Sequence, residues 1–237
     1  MTAVNFNYFE DTKINAIFEM DNVIVFDLNG LIVDDELLQL KATNAALRDF
    51  SIRLSESDWS ECCIGHRPGE YIPALLTKAR LRVTAALTEV IIRRKDHIYS
   101  SYIRNSLHNL IRPGVTDLIA YCEKKGLPVA LASGTTKTGV ETILGPDGLG
   151  IMAKFSYVIC GDEVAQSKPD PEIYLKVRAA MGARKSFVAL EDSYTGVEAA
   201  IEAGMRCIAV PNRFTLHHDL SRATLRIDSL QRDARII

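Results

Sequence analysis

Several polar residues in this chain stand where short apolar runs stop, and their types suit chemistry on a charged group. Val23-Ile24-Val25-Phe26 ends at Asp27, and Pro128-Val129-Ala130-Leu131-Ala132 ends at Ser133. Phe187-Val188-Ala189-Leu190 ends at the pair Glu191-Asp192. Lys168 lies in the loop Gln166-Ser167-Lys168-Pro169-Asp170-Pro171, just ahead of a helical stretch. Carboxylates can attack as nucleophiles or hold a divalent cation, and an ammonium is a compact charge for oxyanions. Singly, each residue is a weak signal. A lone aspartate after a strand is most often a helix cap or turn residue, and Lys168 also reads as an ordinary loop lysine. What strengthens them is their common position at strand and loop ends.

The elements that must carry these residues follow from the apolar patterning. The three runs above, with Tyr157-Val158-Ile159-Cys160 and Cys207-Ile208-Ala209-Val210, read as buried parallel strands. Helical patterns lie between most of them, at Val115–Lys125 and at 138–144, 171–181 and 195–203. This alternation predicts an α/β fold: a Rossmann-like parallel sheet with helices on both faces. In such sheets ligands bind beyond the carboxyl ends of the strands, where Asp27, Ser133, Glu191 and Asp192 would meet. Between residues 36 and 112 the alternation stops. Helices are expected at 36–50, Glu56–Cys62, 70–79 and 84–107, with no strand among them. The predicted organisation is a core of residues 1–36 and 110–237, with an all-helical cap inserted at 37–109. Ile14-Asn15-Ala16-Ile17-Phe18 is compatible with an extra edge strand or with an irregular lead-in.

Composition narrows the partners. The 237 residues are 47% hydrophobic and carry a formal net charge of −2, so neither a basic surface for nucleic acid nor a membrane span is indicated. Arg93-Arg94-Lys95, the densest basic run, reads as a solvated helix face. Five cysteines with no C-x-x-C pair suit a reducing compartment. Asp11, Lys13 and Glu19 leave no apolar signal region near the N-terminus. The expectation is a cytoplasmic protein, a monomer or weak dimer.

What the protein acts on is suggested by a resemblance. Asp27-Leu28-Asn29-Gly30, after a buried strand, resembles the Asp-x-Asp-Gly signature of the haloacid dehalogenase superfamily. Ala132-Ser133-Gly134, Lys168-Pro169-Asp170-Pro171 and Leu190-Glu191-Asp192-Ser193 resemble its second, third and fourth motifs, in the same order. Together they cover roughly residues 22–212, and the helical insertion after the first motif is similar to the subgroup of β-phosphoglucomutase and sugar-phosphate phosphatases. The resemblance implies a Mg²⁺-dependent phosphatase that acts on a small phosphorylated metabolite, a sugar or polyol phosphate, through an aspartyl-phosphate. Asp27 would be nucleophile and metal ligand, Asp192 a second ligand, Glu191 a ligand through water, and Asn29 a ligand through its backbone carbonyl. Lys168 would neutralise the phosphoryl oxygens, and Ser133 and the N–H of Gly134 would hydrogen-bond them. Gly30 allows a tight turn beneath the phosphate. These roles fit phosphoryl transfer, which depends mostly on positioning and charge neutralisation.

One departure matters more than the matches. The second acidic position of the signature, the family's general acid and base, is Asn29. An amide cannot protonate a leaving oxygen near neutral pH, and losing such help typically costs on the order of 10²–10⁴ in rate. Three explanations stand open: an introduced substitution, a natural protein weakened or repurposed, or another side chain that has taken over proton transfer. A silenced phosphate- and metal-binding protein is therefore the alternative to an impaired phosphatase. A mutase is less favoured, because Gln39 stands at the hinge position where mutases carry a histidine. A dehalogenase would need an aromatic residue at position 29, and a phosphonatase a lysine at Pro68. In the cap, Ile64-Gly65-His66-Arg67-Pro68-Gly69 is expected to form a turn offering His66 and Arg67 to substrate. Asp34, Asp35 and Glu36 read as the acidic first turn of the first cap helix. Asp162-Glu163 is expected to cap a loop.

Overall fold

In a computed structural model of the chain, residues 22–182 and 185–231 are described. The undecided segment 14–18 lies outside them. Among the described residues six strands form one parallel sheet: β1 (Asn22–Phe26), β2 (Val129–Ala132), β3 (Tyr157–Ile159), β4 (Ser186–Glu191), β5 (Arg206–Ala209) and β6 (Leu225–Arg226). Their spatial order is β3-β2-β1-β4-β5-β6, so the two halves wind outward from β1. The first five strands lie on the apolar runs of the sequence. β6 is an addition to the expected set, a two-residue, half-buried edge that leaves no apolar run to read.

Side-chain alternation along each strand sorts the core into two layers. Ile24, Phe26, Leu131, Val188 and Leu190 face one side with α5 (Val115–Lys125) and α6 (Lys137–Leu144). Val23, Val25, Ala130, Ala132 and Ala189 face the other, against α7 (Glu172–Met181) and α8 (Tyr194–Glu202). The small residues on this second face let α7 and α8 approach closely. The same alternation carries Asp27 and Glu191, one step past Phe26 and Leu190, onto the second face.

The cap comprises α1 (Glu36–Ala46), α2 (Glu56–Cys62), α3 (Pro68–Lys78) and α4 (Ala85–Ser106). Ser55 opens α2 in a capping box with Asp58, and Thr84 caps α4 by accepting from the Leu87 N–H. Leu40, Leu47, Trp59, Tyr71, Ile72 and Leu76 form a separate apolar core, into which Phe214 is inserted from the C-terminal part of the chain. α4 serves both bodies, since its later residues Tyr99 and Ile103 belong to the first layer of the sheet core. The two connections between the bodies are paired with each other. The Asp34 N–H donates to Leu110 O at 2.7 Å, and the Arg112 N–H donates to Ile32 O at 2.9 Å.

Candidate active site

The carboxyl ends of β1, β2 and β4 are aligned by backbone bonds that continue past the strands. Asp27 N donates to Leu190 O at 3.1 Å, and Ser133 N donates to Ile159 O at 3.0 Å. This brings Asp27, Ser133, Glu191 and Asp192 to one edge of the sheet. Lys168 reaches them from the loop before α7. Its Nζ donates to Asp27 Oδ1 and Glu191 Oε1, both at 2.6 Å, and to Ala132 O at 3.0 Å. Tyr174 on α7 donates its hydroxyl to the same Glu191 oxygen and stacks its ring 5.0 Å from the ammonium.

Burial sets the electrostatics here. It pushes the Asp27 carboxyl up to about 7, against the pull of Lys168 and with help from the Glu191 charge. It raises Asp192 as well, with Asp27 and Glu191 adding to the effect. On Lys168 burial acts the other way, but the charges of Asp27 and Glu191 outweigh it and keep the ammonium protonated. Oxygens of Asp27, Glu191 and Asp192 lie within 4.8 Å of one another, and Glu191 Oε2 is buried without a hydrogen-bond partner among the described residues. Three buried carboxyl groups meet the Lys168 ammonium and, at Asp192, the charge of Arg112, and a divalent cation would offset the negative charge that remains. The donor set, all oxygen, suits Mg²⁺.

Gly30 is required by geometry. Its φ is +79°, and a Cβ there would stand 2.3 Å from Asp192 Oδ2. Asn212, which the sequence does not single out, donates to that oxygen at 2.7 Å. Arg112 clamps the turn from below, donating to Gly30 O at 2.6 Å and Val210 O at 2.8 Å. Ser133 is buried, and its Oγ accepts from the Thr135 N–H at 3.1 Å. Asp162 and Glu163 accept from the backbone N–H groups of Lys137 and Cys160, which accounts for both as loop and capping groups.

A cavity of about 520 Å³ opens above this edge and is roofed by the cap. Asp27, Asn29, Gly134, Lys168 and Asp192 line its floor, while His66, Arg67, Lys95 and Tyr99 line its roof. Arg67 spends its guanidinium on the core loop, donating to Val164 O at 3.4 Å and Gln166 O at 3.1 Å. Glu70, one turn on, accepts from Ser167, and His66 lies 3.6 Å from the Glu70 carboxylate. Gly65 meets α8: its carbonyl accepts from Thr195 Oγ1 at 3.2 Å, where its own Cβ would collide.

Three residues depart from the sequence reading. Lys95 is not on a solvated face with Arg93 and Arg94; it is 5% exposed and lines the cavity, its ammonium 3.4 Å from Asp96 and over the Tyr99 ring. Asp35 and Glu36 are not a solvated first turn. Asp35 is 0% exposed, and Glu36 is buried with its Oε2 accepting from Trp59 Nε1 at 2.7 Å. Burial, then the charge of Asp35, pushes Glu36 up to about 8. The folded chain therefore holds a proton that the unfolded chain releases. The stability this proton brings is fully present below 4.5 and is lost as the pH rises to about 8. Glu36→Gln should flatten that fall in a series of melting curves. An unchanged slope would remove Glu36 as its source.

Against known proteins, residues 22–204 match the model of the haloacid dehalogenase-like hydrolases. The chain belongs to this family. It is 29% identical over 214 residues to the protein CbbY of Cereibacter sphaeroides, covering 89% of this chain and 93% of that one. It is 28% identical over 188 residues to hexitol phosphatase B of Escherichia coli K12, covering 79% and 82%. A crystal structure of a mutant CbbY from Rhodobacter sphaeroides in complex with xylulose-(1,5)bisphosphate superposes with a TM-score of 0.78 at 28% identity, over 89% and 95% of the two chains. The Rossmann-like sheet with its helical cap is the family's fold, and the chain is a hydrolase of phosphoric monoesters similar to known sugar-phosphate phosphatases.

Proposed function

We propose that this hydrolase cleaves a small sugar or polyol phosphate through an aspartyl-phosphate on Asp27, with Mg²⁺ as cofactor. The observation that carries the reading is the Asp27 carboxylate, held by Lys168 beside Glu191 and Asp192 on the floor of a roofed cavity. Asp27 Oδ1 is tethered to the ammonium, which leaves Oδ2 to approach phosphorus. Lys168 then faces the phosphoryl oxygens as well as the carboxylates, a point charge between the two. The Gly134 backbone and Ser133 stand at the adjoining strand end for the remaining oxygens. Asp27, Asp192, Glu191 and the Asn29 backbone carbonyl would hold the cation, which when bound supplies charge neutralisation. Above them Glu36, Gln39, Thr135 and Ser167 offer hydrogen bonds to hydroxyls, and about 520 Å³ is a volume suited to a small metabolite.

A second reading, a silenced binder, is favoured by the Asn29 amide. Its Oδ1 accepts from Thr135 Oγ1 at 2.5 Å and its Nδ2 donates to Asp35 at 2.8 Å, so no ionisable group at position 29 serves the leaving oxygen. Assay of sugar and polyol phosphates beside p-nitrophenyl phosphate, with Mg²⁺ and with chelator, separates the two. Metal-dependent turnover is expected, slow on sugar phosphates and faster on the activated ester. Binding of phosphate without any turnover would establish the silenced reading. Asp192→Ala should weaken Mg²⁺ in a calorimetric titration by about 10-fold or more, on the scale of losing one carboxylate ligand. Equal affinities would remove Asp192 from the ligand set.

A further inference from the structure

The buried carboxylate of Asp35 lies directly against the anomalous Asn29. Its Oδ2 accepts three hydrogen bonds, from Asn29 Nδ2 at 2.8 Å, Gln39 Nε2 at 3.0 Å and Tyr99 Oη at 2.5 Å. Its Oδ1 is buried with no partner among the described residues. Gln39 belongs to α1, Tyr99 to α4, and the Thr135 that orients Asn29 from its other side to the loop after β2. One carboxylate thus joins the phosphate-site loop to two cap helices. The contact also fixes which way the amide points: oxygen to Thr135, nitrogen to Asp35.

We propose that Asn29 and Asp35 are a matched pair, in which Asp35 is a positioning residue that sets the Asn29 side chain and ties the cap to the phosphate-site loop. The donor and acceptor of this contact are complementary only as they stand. An aspartate at 29 would present an acceptor to an acceptor, inside a pocket where Asp35 and Glu36 are already buried. Restored alone, a carboxylate at position 29 would remove the amide donor that Asp35 now accepts from. It requires a donor at 35, as Asp35→Asn or Asp35→Ser would provide. In its kinetic part the proposal rests on the phosphatase reading; in its structural part it does not.

The test is a double-mutant cycle of the parent chain, Asn29→Asp, Asp35→Asn and the double variant, read by melting temperature and by Mg²⁺-dependent turnover of a sugar phosphate. Each single variant should melt below the parent, and the double should recover most of the combined loss. Asn29→Asp alone should raise kcat by less than about 10-fold, and the double variant by about 10²-fold or more, the scale of general acid–base assistance. A merely structural Asp35 would lower the melting temperature without altering the response of kcat to Asn29→Asp. Additive melting shifts, or the whole kcat gain from Asn29→Asp alone, overturn the pairing. Coupled melting shifts with no turnover in any variant keep the pair and refute the phosphatase reading. Asp35→Ser, shorter and also a donor, closes the cycle if Asp35→Asn does not fold.

Discussion

Replacing Lys168 by methionine should destabilise the protein by about 3–5 kcal/mol, the usual cost of leaving buried charge unpaired. The ammonium is the shared partner of Asp27 and Glu191, and all three groups are buried. Methionine fills much the same space, so the loss is mainly electrostatic rather than a cavity effect. Two consequences identify the cause. Glu191→Gln in the Lys168→Met background should recover part of the loss, because the amide can still accept from Tyr174 while no longer demanding a counter-charge. Mg²⁺ should recover more, since it would neutralise the same carboxylates. Urea melts with and without metal measure both. A destabilisation below about 1 kcal/mol, the range of a surface ion pair, would mean that Lys168 is not what holds these charges.

Much of this site is legible in the chain because a fully buried parallel strand is a continuous apolar run, and a polar residue ending it is conspicuous. Asp27, Ser133 and Glu191-Asp192 announce themselves that way, and Lys168 by its place in the loop ahead of α7. The cap helices show the apolar period of a helix. What is hidden is hidden for physical reasons. Asp35 and Glu36 have the pattern of an acidic helix start, and only the packing of α1 against Trp59 and Tyr99 reveals them as buried. Lys95 sits in the densest basic run, which favours a solvated reading. Yet Ile91, Lys95, Tyr99 and Ile103 recur every four residues, and that stripe is the signal that places Lys95 inside. Arg67 meets Val164 and Gln166 across almost a hundred residues of chain, a contact with no local signature. The Asn212 bond to Asp192 is equally non-local.

Asp27→Asn should abolish turnover, by on the order of 10⁴-fold or more, because nucleophile removal eliminates the covalent route rather than slowing it. Other losses in the site should be graded beside it. The same substitution should make the metal-free protein more stable, not less. Burial and Glu191 push the Asp27 carboxyl up to about 7, so near neutral pH the folded chain bears a charge it resists. The sign reverses on loading: with Mg²⁺ the parent gains more stability than the variant, having one more charged ligand to offer. Covalent evidence comes from the parent chain itself. Lacking a carboxylate at 29 to activate water, it should release phosphate from Asp27 slowly. Rapid quenching during turnover of an activated phosphoester should then show a species heavier by one phosphoryl group, which Asp27→Asn does not form. Intact mass must be recorded on fresh protein, because Asn29-Gly30 is open to deamidation and would acquire a carboxylate on ageing. A parent chain that turns over without ever showing the adduct, and an Asp27→Asn variant that keeps its rate, would together exclude Asp27 as the nucleophile.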